Sequence, residues 1–164
     1  MQPLALTLGE PAGIGPDLAL TIWQRRAELD IPPFYIVAEP DFLGRRANQL
    51  GLRIPIEHAT ATSATAIFRS ALPVAALGLP ITTEPGKPDS SSAPVAIAAI
   101  RRGVADVMAG SAAAIVTNPV AKNVLYNSGF AEPGHTEFLA RLVQETSGKV
   151  LRPVMMLWLS LIHI

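Results

Sequence analysis

The sequence contains no cysteine, and only 16% of its 164 residues are charged and 5% are aromatic. Without cysteine the chain can form no disulfide, no thiolate metal site and no thiol nucleophile. Its 13 basic and 13 acidic residues cancel, which argues against a nucleic-acid groove or a membrane-surface patch, because both need a positive excess. No apolar run approaches the ~18–20 residues that cross a bilayer, and no basic N-terminal segment indicates a signal peptide. We therefore expect a cytoplasmic protein that binds neither nucleic acid nor membrane.

Apolar residues make up 49% of the chain, and 15 prolines and 12 glycines divide them into short segments. The lengths of these segments and the turn residues between them predict strands and helices in alternation. The predicted strands cover residues 4–8, 33–38, 53–57, 72–77, 112–117 and 154–158, and the predicted helices begin near residue 16 or cover residues 41–50, 92–109, 119–126 and 136–146. Residues 58–70 are expected to be irregular. This order predicts a layered α/β fold with a largely parallel sheet and flanking helices.

Two of the predicted helices carry specific expectations about single residues. Pro16 suits the first position of a helix, where its missing N–H costs nothing. The helical spacing of Leu18, Ile22 and Trp23 predicts the buried face of that helix. Ser92 is expected to cap the helix that begins near residue 92.

Residues 9–17 form a glycine-rich loop directly after the first predicted strand. A dinucleotide-binding fingerprint would need a third glycine where Leu18 stands, and Asp17 would place a carboxylate where the pyrophosphate lies. The spacing therefore argues against that fingerprint. Two interpretations stay open: a structural turn whose glycines adopt positive φ, or a loop that approaches a ligand through its backbone. In the second case Glu10 would be polar at the centre of the loop, although a lone glutamate there is expected to be solvated.

A second loop that carries candidate binding residues lies between residues 117 and 137, after the predicted strand 112–117. Ligands of open α/β sheets lie beyond the carboxyl ends of strands. Lys122, on the first turn of a short helix, either meets a phosphate as a point charge or is simply solvated. His135 and Thr136 follow a Pro-Gly turn and precede a helix. Thr136 is either only an N-cap or, together with His135, half of a clamp for an anion or a hydroxyl group.

The remaining histidines carry no predicted chemistry. His58 lies in a threonine-rich loop and is interpreted as structural, and His163 is assigned no role. Three scattered histidines without paired carboxylates at ligand spacing predict no metal site within this chain.

Three motifs together resemble one known family. Residues 7–17, Thr-Leu-Gly-Glu-Pro-Ala-Gly-Ile-Gly-Pro-Asp, resemble the opening motif of the 4-hydroxythreonine-4-phosphate dehydrogenase family. Residues 116–122, Val-Thr-Asn-Pro-Val-Ala-Lys, and residues 133–139, Pro-Gly-His-Thr-Glu-Phe-Leu, resemble its central motif and its Pro-Gly-His-Thr-Glu-Phe signature. Three motifs in the right order are far more specific than any one alone. The resemblance runs from about residue 4 to residue 157 and covers about the first half of a family member.

The resemblance implies a homodimeric oxidoreductase of vitamin B6 (pyridoxal phosphate) biosynthesis. Such an enzyme oxidises 4-phosphooxy-L-threonine with NAD or NADP to 2-amino-3-oxo-4-phosphooxybutanoate, which then decarboxylates to 3-amino-2-oxopropyl phosphate. The implied fold is similar to those of isocitrate and isopropylmalate dehydrogenases, and a divalent metal (Zn, Mg or Co) assists the oxidation. By motif match, His135 and Thr136 correspond to substrate-binding residues, and Lys122 to a lysine to which we assign a substrate or phosphate contact.

Departures from the family pattern qualify these expectations. The family's metal-binding histidines lie beyond the point where this chain stops, so none is transferred to it, and the chain alone is expected to be inactive. We interpret residues 1–158 as the N-terminal portion of a dehydrogenase about twice as long, so that the fold of this chain is incomplete, with a hinge near residues 80–94. Residues 159–164 resemble a translated sequencing-adaptor or transposon end and are interpreted as a non-native tail. The alternatives are a dehydrogenase of four-carbon sugar-acid phosphates (threonate or erythronate 4-phosphate) and a non-catalytic remnant that binds a phosphorylated metabolite.

Overall fold

The structure, a computed structural model, describes residues 2–156. The chain divides into two compact units, the first ending at Ala131 and the second beginning at Glu132. The predicted hinge near residues 80–94 lies inside the first unit and stays a prediction. The tail proposed for residues 159–164 lies outside the described residues.

The first unit is built on a five-stranded sheet whose described strands all run parallel. The strands are β1 (Leu4–Thr7), β2 (Phe34–Ala38), β3 (Ile56–His58), β4 (Leu72–Ala76) and β5 (Ala114–Val116), and they lie in the order β3-β4-β2-β1-β5. The helices are α1 (Gly15–Gln24), α2 (Pro40–Gln49), α3 (Ala64–Ile67), α4 (Ser92–Met108), α5 (Lys122–Asn127) and, in the second unit, α6 (His135–Ser147). The predicted α/β class with a parallel sheet is therefore confirmed.

Both faces of the central strand β2 are buried, as expected for a parallel sheet covered by helices. Because side chains alternate along a strand, Phe34 and Ile36 enter one apolar cluster, which also holds Trp23 of α1. Tyr35 and Val37 enter a second cluster on the opposite face. The apolar core therefore lies on both faces of the sheet. The carboxyl edge of the sheet is occupied by the loops that follow the strands.

The buried face of α1 differs from the predicted one. Trp23 is buried as predicted, but Leu18 is 42% exposed and Leu20 is completely buried. The rotation of the helix is fixed by Asp17, whose carboxylate accepts two hydrogen bonds from Arg46 of α2. With Asp17 directed toward α2, the neighbouring Leu18 faces solvent.

Residues 58–70, predicted to be irregular, contain the last residue of β3 and the short helix α3. Ala61 and Ala64 are buried in the same cluster as Tyr35. Small side chains let this segment approach the sheet closely, and their weak hydrophobicity hid the helical period. β3 begins directly after Pro55 and lies at one end of the strand order, where a sheet tolerates a proline because it has no ladder hydrogen bond to donate on that side.

One of the two strands predicted near the end of the chain forms, and the other does not form over its described residues. The strand predicted over residues 112–117 forms as β5, which among the described residues pairs only with β1, at the edge of the sheet, and its Val116 is 43% exposed. Residues 154–156 form no strand, and residues 157 and 158 of that predicted strand lie outside the described residues.

Candidate functional site

The two loops singled out by the sequence meet at the carboxyl edge of the sheet. The backbone N–H of Glu10 donates to the carbonyl of Pro119 at 2.9 Å. The side-chain amide of Asn118 donates to the carbonyl of Thr7 at 2.9 Å, and the Asn118 backbone N–H donates to the Thr7 hydroxyl at 3.2 Å. The loop after β1 and the start of the loop after β5 are therefore one hydrogen-bonded structure.

The glycines of the first loop serve this close packing. Gly9 has φ +73°, and a Cβ there would lie 2.5 Å from the carbonyl oxygen of Pro119. A Cβ on Gly15 would lie 2.5 Å from the carbonyl oxygen of Leu8. The space that a dinucleotide fingerprint leaves for a pyrophosphate is filled here by the protein itself, and Asp17 is bound by Arg46. This geometry agrees with the argument against a fingerprint and favours the structural-turn interpretation.

Glu10 is buried, contrary to the expectation of a solvated loop residue. It is only 6% exposed, and its carboxylate accepts hydrogen bonds from the backbone N–H of Ala12 at 3.1 Å and the hydroxyl of Ser92 at 2.8 Å. Ser92 is not the predicted cap, because α4 has Ser91 at its N-cap position without a side-chain cap bond. The Ser92 hydroxyl instead donates to Glu10, and so joins the loop after β1 to α4.

Lys122 lies where the sequence predicts, on the first turn of a short helix beyond β5. It is the first residue of α5 and is exposed. The predicted helix starts at residue 119, whereas α5 starts three residues later. The difference arises because Asn118 and Pro119 are hydrogen-bonded to the end of β1 and the loop that follows it. Lys122 therefore presents its ammonium group to solvent near the carboxyl edge of the first unit.

His135 and Thr136 begin α6 in the second unit and are both partly buried. One interpretation of the sequence made Thr136 the N-cap of this helix, and it is wrong. That position belongs to Gly134, whose extended backbone lets the helix start at His135, and no side chain caps the helix. The first-turn N–H groups of such a helix lack intrahelical partners and attract negative charge.

A cavity of about 400 Å³ opens beside Thr136 within the second unit. Its walls are mostly apolar, and Thr136 and Arg152 supply its two polar side chains. The structure thus brings Thr136 together with an arginine that the sequence interpretation did not consider. Lys122 belongs to the first unit, whereas His135 and Thr136 belong to the second.

A cluster of polar side chains in the first unit lies away from the carboxyl edge of the sheet. The Tyr35 hydroxyl, near the start of β2, donates to Asp106 at 2.7 Å. Burial, followed by this hydrogen bond, raises the pKa of the Tyr35 phenol well above its usual range. Arg102 holds the same carboxylate at 2.9 Å. This cluster fastens α4 to the sheet rather than forming part of a ligand site.

The described residues do not suit the metal that the family resemblance implies. Among residues 2–156, no group of three His, Asp or Glu side chains could hold a metal ion. His58 is exposed at the end of β3. Nor does any helix in this part of the chain have the length and apolar character needed to cross a membrane.

The family model and the curated relatives that this chain matches point to the same family. Residues 30–164 match the family described as the pyridoxal phosphate biosynthetic protein PdxA. The chain is 54% identical to the 4-hydroxythreonine-4-phosphate dehydrogenase of Bradyrhizobium diazoefficiens, covering 96% of this chain and 48% of that protein. It is 47% identical to the enzyme of the same name from Xanthobacter autotrophicus, covering 95% of this chain and 45% of that protein.

Solved structures agree with the observed fold. The 4-hydroxythreonine-4-phosphate dehydrogenase of Klebsiella pneumoniae is similar with a TM-score of 0.73 and 29% identity, over 88% of this chain and 45% of that one. The Burkholderia phymatum structure of the same name has a TM-score of 0.75 at 24% identity, covering 87% of this chain and 44% of that one, and it supports the fold alone. The chain spans about half the length of the relatives it matches.

Proposed function

The chain belongs to the pyridoxal phosphate biosynthetic protein PdxA family, and we propose on that basis that it forms the N-terminal half of a dehydrogenase for 4-phosphooxy-L-threonine. The oxidation removes a hydride and a proton from the secondary alcohol and leaves a ketone. We propose NAD or NADP as the hydride acceptor, a divalent metal, and a cytoplasmic homodimer for the complete enzyme. The described residues do not fit the metal, and the first loop offers no cradle for a pyrophosphate. The proposal for this chain is therefore limited to substrate binding.

The start of α6 is the observation that supports this role. His135 and Thr136 lie on the first turn of a helix that no side chain caps. Thr136 and Arg152 both line a cavity of about 400 Å³. First-turn N–H groups, a hydroxyl and a guanidinium together match the oxygen atoms of a phosphate or carboxylate. The imidazole of His135 is proposed to bind the same substrate, and Lys122 to contact the substrate or its phosphate as a point charge.

A dehydrogenase assay tests the proposal on two proteins. The first is this 164-residue chain, and the second joins residues 1–156 to the second half of the Bradyrhizobium diazoefficiens relative. Each is assayed with 4-phosphooxy-L-threonine, NAD and a divalent metal. We expect turnover only in the joined protein, because the proposed redox groups are supplied by its second half. Turnover by the short chain alone would contradict this division of roles.

Substitution of His135 in the joined protein tests the site itself. His135→Ala is expected to lower kcat/KM at least tenfold, a loss of about 1.4 kcal/mol in transition-state stabilisation. The matched control is His58→Ala, which removes an exposed imidazole and should leave the kinetics within about twofold. If His135→Ala also stays within twofold, the binding role of His135 is wrong.

A further inference from the structure

A second cavity, of about 320 Å³, lies between α2 and residues 81–85 in the first unit. The segment that forms its outer wall follows β4, whose carboxyl end lies at the ligand-binding edge of a parallel sheet. The backbone N–H of Gly86 donates to the carbonyl of Ala12 at 2.7 Å, so this segment is fastened to the loop after β1. The cavity has the volume of a small-molecule site, and the proposed function does not use it.

Two neighbouring arginines of α2 line the cavity. Arg45 donates one hydrogen bond, from Nη2 to the carbonyl of Ile81 at 3.1 Å, which orients its guanidinium across the gap. Arg46 is 7% exposed, and its Nε and Nη2 are taken up by the carboxylate of Asp17. Within the described part of the chain, the other nitrogens of Arg45 and the Nη1 of Arg46 make no hydrogen bond.

Thr83 supplies an independent sign of a ligand. It lines the cavity and is 8% exposed. Its buried hydroxyl has no hydrogen-bond partner among residues 2–156. A buried hydroxyl is costly without a partner, so such groups are rare unless a ligand or water completes them.

The charges around the cavity favour an anion. Asp17 neutralises Arg46, and Lys87 holds the carboxylate of Glu84, which also lines the cavity, at 2.7 Å. Arg45 has no carboxylate partner among the described residues and leaves one positive charge unbalanced. Three separate donors (Arg45, Arg46 and Thr83) can each bond a different oxygen of a phosphate group, whereas a carboxylate would have to share one of its two oxygens between two of them.

We propose that this cavity binds a phosphate group through Arg45, Arg46 and the hydroxyl of Thr83. The site is assigned from the first unit alone and holds whether or not the proposed dehydrogenase activity is correct. The phosphate is either a free ion or part of a larger phosphorylated molecule, and both present the same oxygens to these donors.

Inorganic phosphate is the probe for the first test. Thermal melts of the 164-residue chain are compared in 20 mM phosphate and in chloride of equal ionic strength, and phosphorus NMR line widths are measured as protein is added. We expect phosphate to raise Tm by about 3–5 °C, as a ligand at roughly tenfold excess over a millimolar Kd would. The NMR titration should saturate, and it needs no cooperative melt.

Four variants separate specific binding from the general stabilisation that phosphate salts give every protein. Arg45→Gln and Thr83→Val should lose most of the phosphate-dependent shift, whereas Thr83→Ser, which keeps the hydroxyl, should retain it. Arg69→Gln removes the same charge from an exposed arginine outside the cavity and should behave as the parent chain. Thr83→Val should also raise Tm in chloride, because it deletes the buried hydroxyl that lacks a partner.

The thermal melts and the NMR titration can each support or overturn phosphate binding at this cavity. It is overturned if phosphate shifts Arg45→Gln and Thr83→Val as much as the parent chain, if Arg69→Gln loses the shift equally, or if the NMR titration does not saturate. If phosphate binds as expected, glycerol 3-phosphate and phosphorylated nucleosides at the same concentration then distinguish a free ion from a larger ligand. Tighter binding of one of these molecules identifies the larger ligand, and equal or weaker binding identifies the free ion.

Discussion

The hydroxyl of Ser92 donates a hydrogen bond to the carboxylate of Glu10 at 2.8 Å, across 82 residues of sequence. Glu10 is 6% exposed and Ser92 1% exposed, so water competes little for this bond. Ser92 is the first residue of the 17-residue helix α4, whose N-terminal dipole also favours a negative charge nearby. The pair fixes the loop after β1 against the start of α4.

Ser92→Ala should therefore destabilise the protein by about 1.5–3 kcal/mol, because it leaves a buried carboxylate without one of its donors. The neighbouring exposed Ser91, whose hydroxyl donates to Asp89, provides the control, and Ser91→Ala should cost no more than about 0.5 kcal/mol. Urea unfolding of both variants measures the difference. Equal losses would mean that the Glu10–Ser92 bond adds nothing beyond an ordinary surface contact.

Alanine substitutions at Gly9 and Gly110 distinguish the cost of backbone strain from the cost of a steric clash. Both have φ near +70°, but a Cβ on Gly9 would lie 2.5 Å from the Pro119 oxygen, whereas nothing lies within 4 Å of a Cβ on Gly110. Gly110→Ala should cost about 1–2 kcal/mol, the strain of a left-handed alanine. Gly9→Ala should cost at least about 3 kcal/mol, because the two loops must also separate. Similar unfolding midpoints for the two variants would contradict the close packing of the loops.

The ion pair of Asp17 and Arg46 should respond asymmetrically to the removal of each partner. The side chain of Arg46 is 8% exposed and that of Asp17 31% exposed. Asp17→Ala strands a buried guanidinium and should cost about 2–4 kcal/mol. Arg46→Met leaves a carboxylate that water can reach and fills the space with an apolar chain, so its cost should stay below about 2 kcal/mol. Chemical denaturation compares them, and a larger loss for Arg46→Met would disprove the argument.

Tyr35 should make the protein sensitive to alkaline pH. Burial and the bond to Asp106 raise the pKa of its phenol, whereas in the unfolded chain that pKa is about 10. The stabilisation is complete below pH 10. Above it only the unfolded state releases the proton, so the free energy of unfolding falls by up to about 1.4 kcal/mol per pH unit.

Tyr35→Phe tests this dependence. It should cost about 1–1.5 kcal/mol at pH 8 through the lost hydrogen bond, yet show a shallower decline between pH 10 and 12. Tyr126→Phe, at a residue 45% exposed, should leave the decline unchanged. The measurement is urea unfolding at several pH values, and parallel curves for the parent chain and Tyr35→Phe would refute the role of Tyr35.

The sequence predicted those features that depend on neighbours along the chain. Short apolar segments bounded by Pro and Gly identified the five strands of the sheet, together with one segment at residues 154–156 that forms none, and the three motifs identified the family. The positions of Lys122 at the start of α5, and of His135 and Thr136 around the start of α6, follow from local turn residues. Each prediction needs only a few consecutive residues to define it.

Tertiary structure decided the partners of polar groups and the orientation of helices. The burial of Glu10 depends on Ser92, and the exposure of Leu18 follows from the bond between Asp17 and Arg46. The sequence itself therefore determined most of the segments that become strands and helices, although not α3, and the family to which the chain belongs, because local periodicity and contiguous motifs encode both. Only the folded chain decided which charges are paired and which cavities carry donors, because those contacts join residues tens of positions apart.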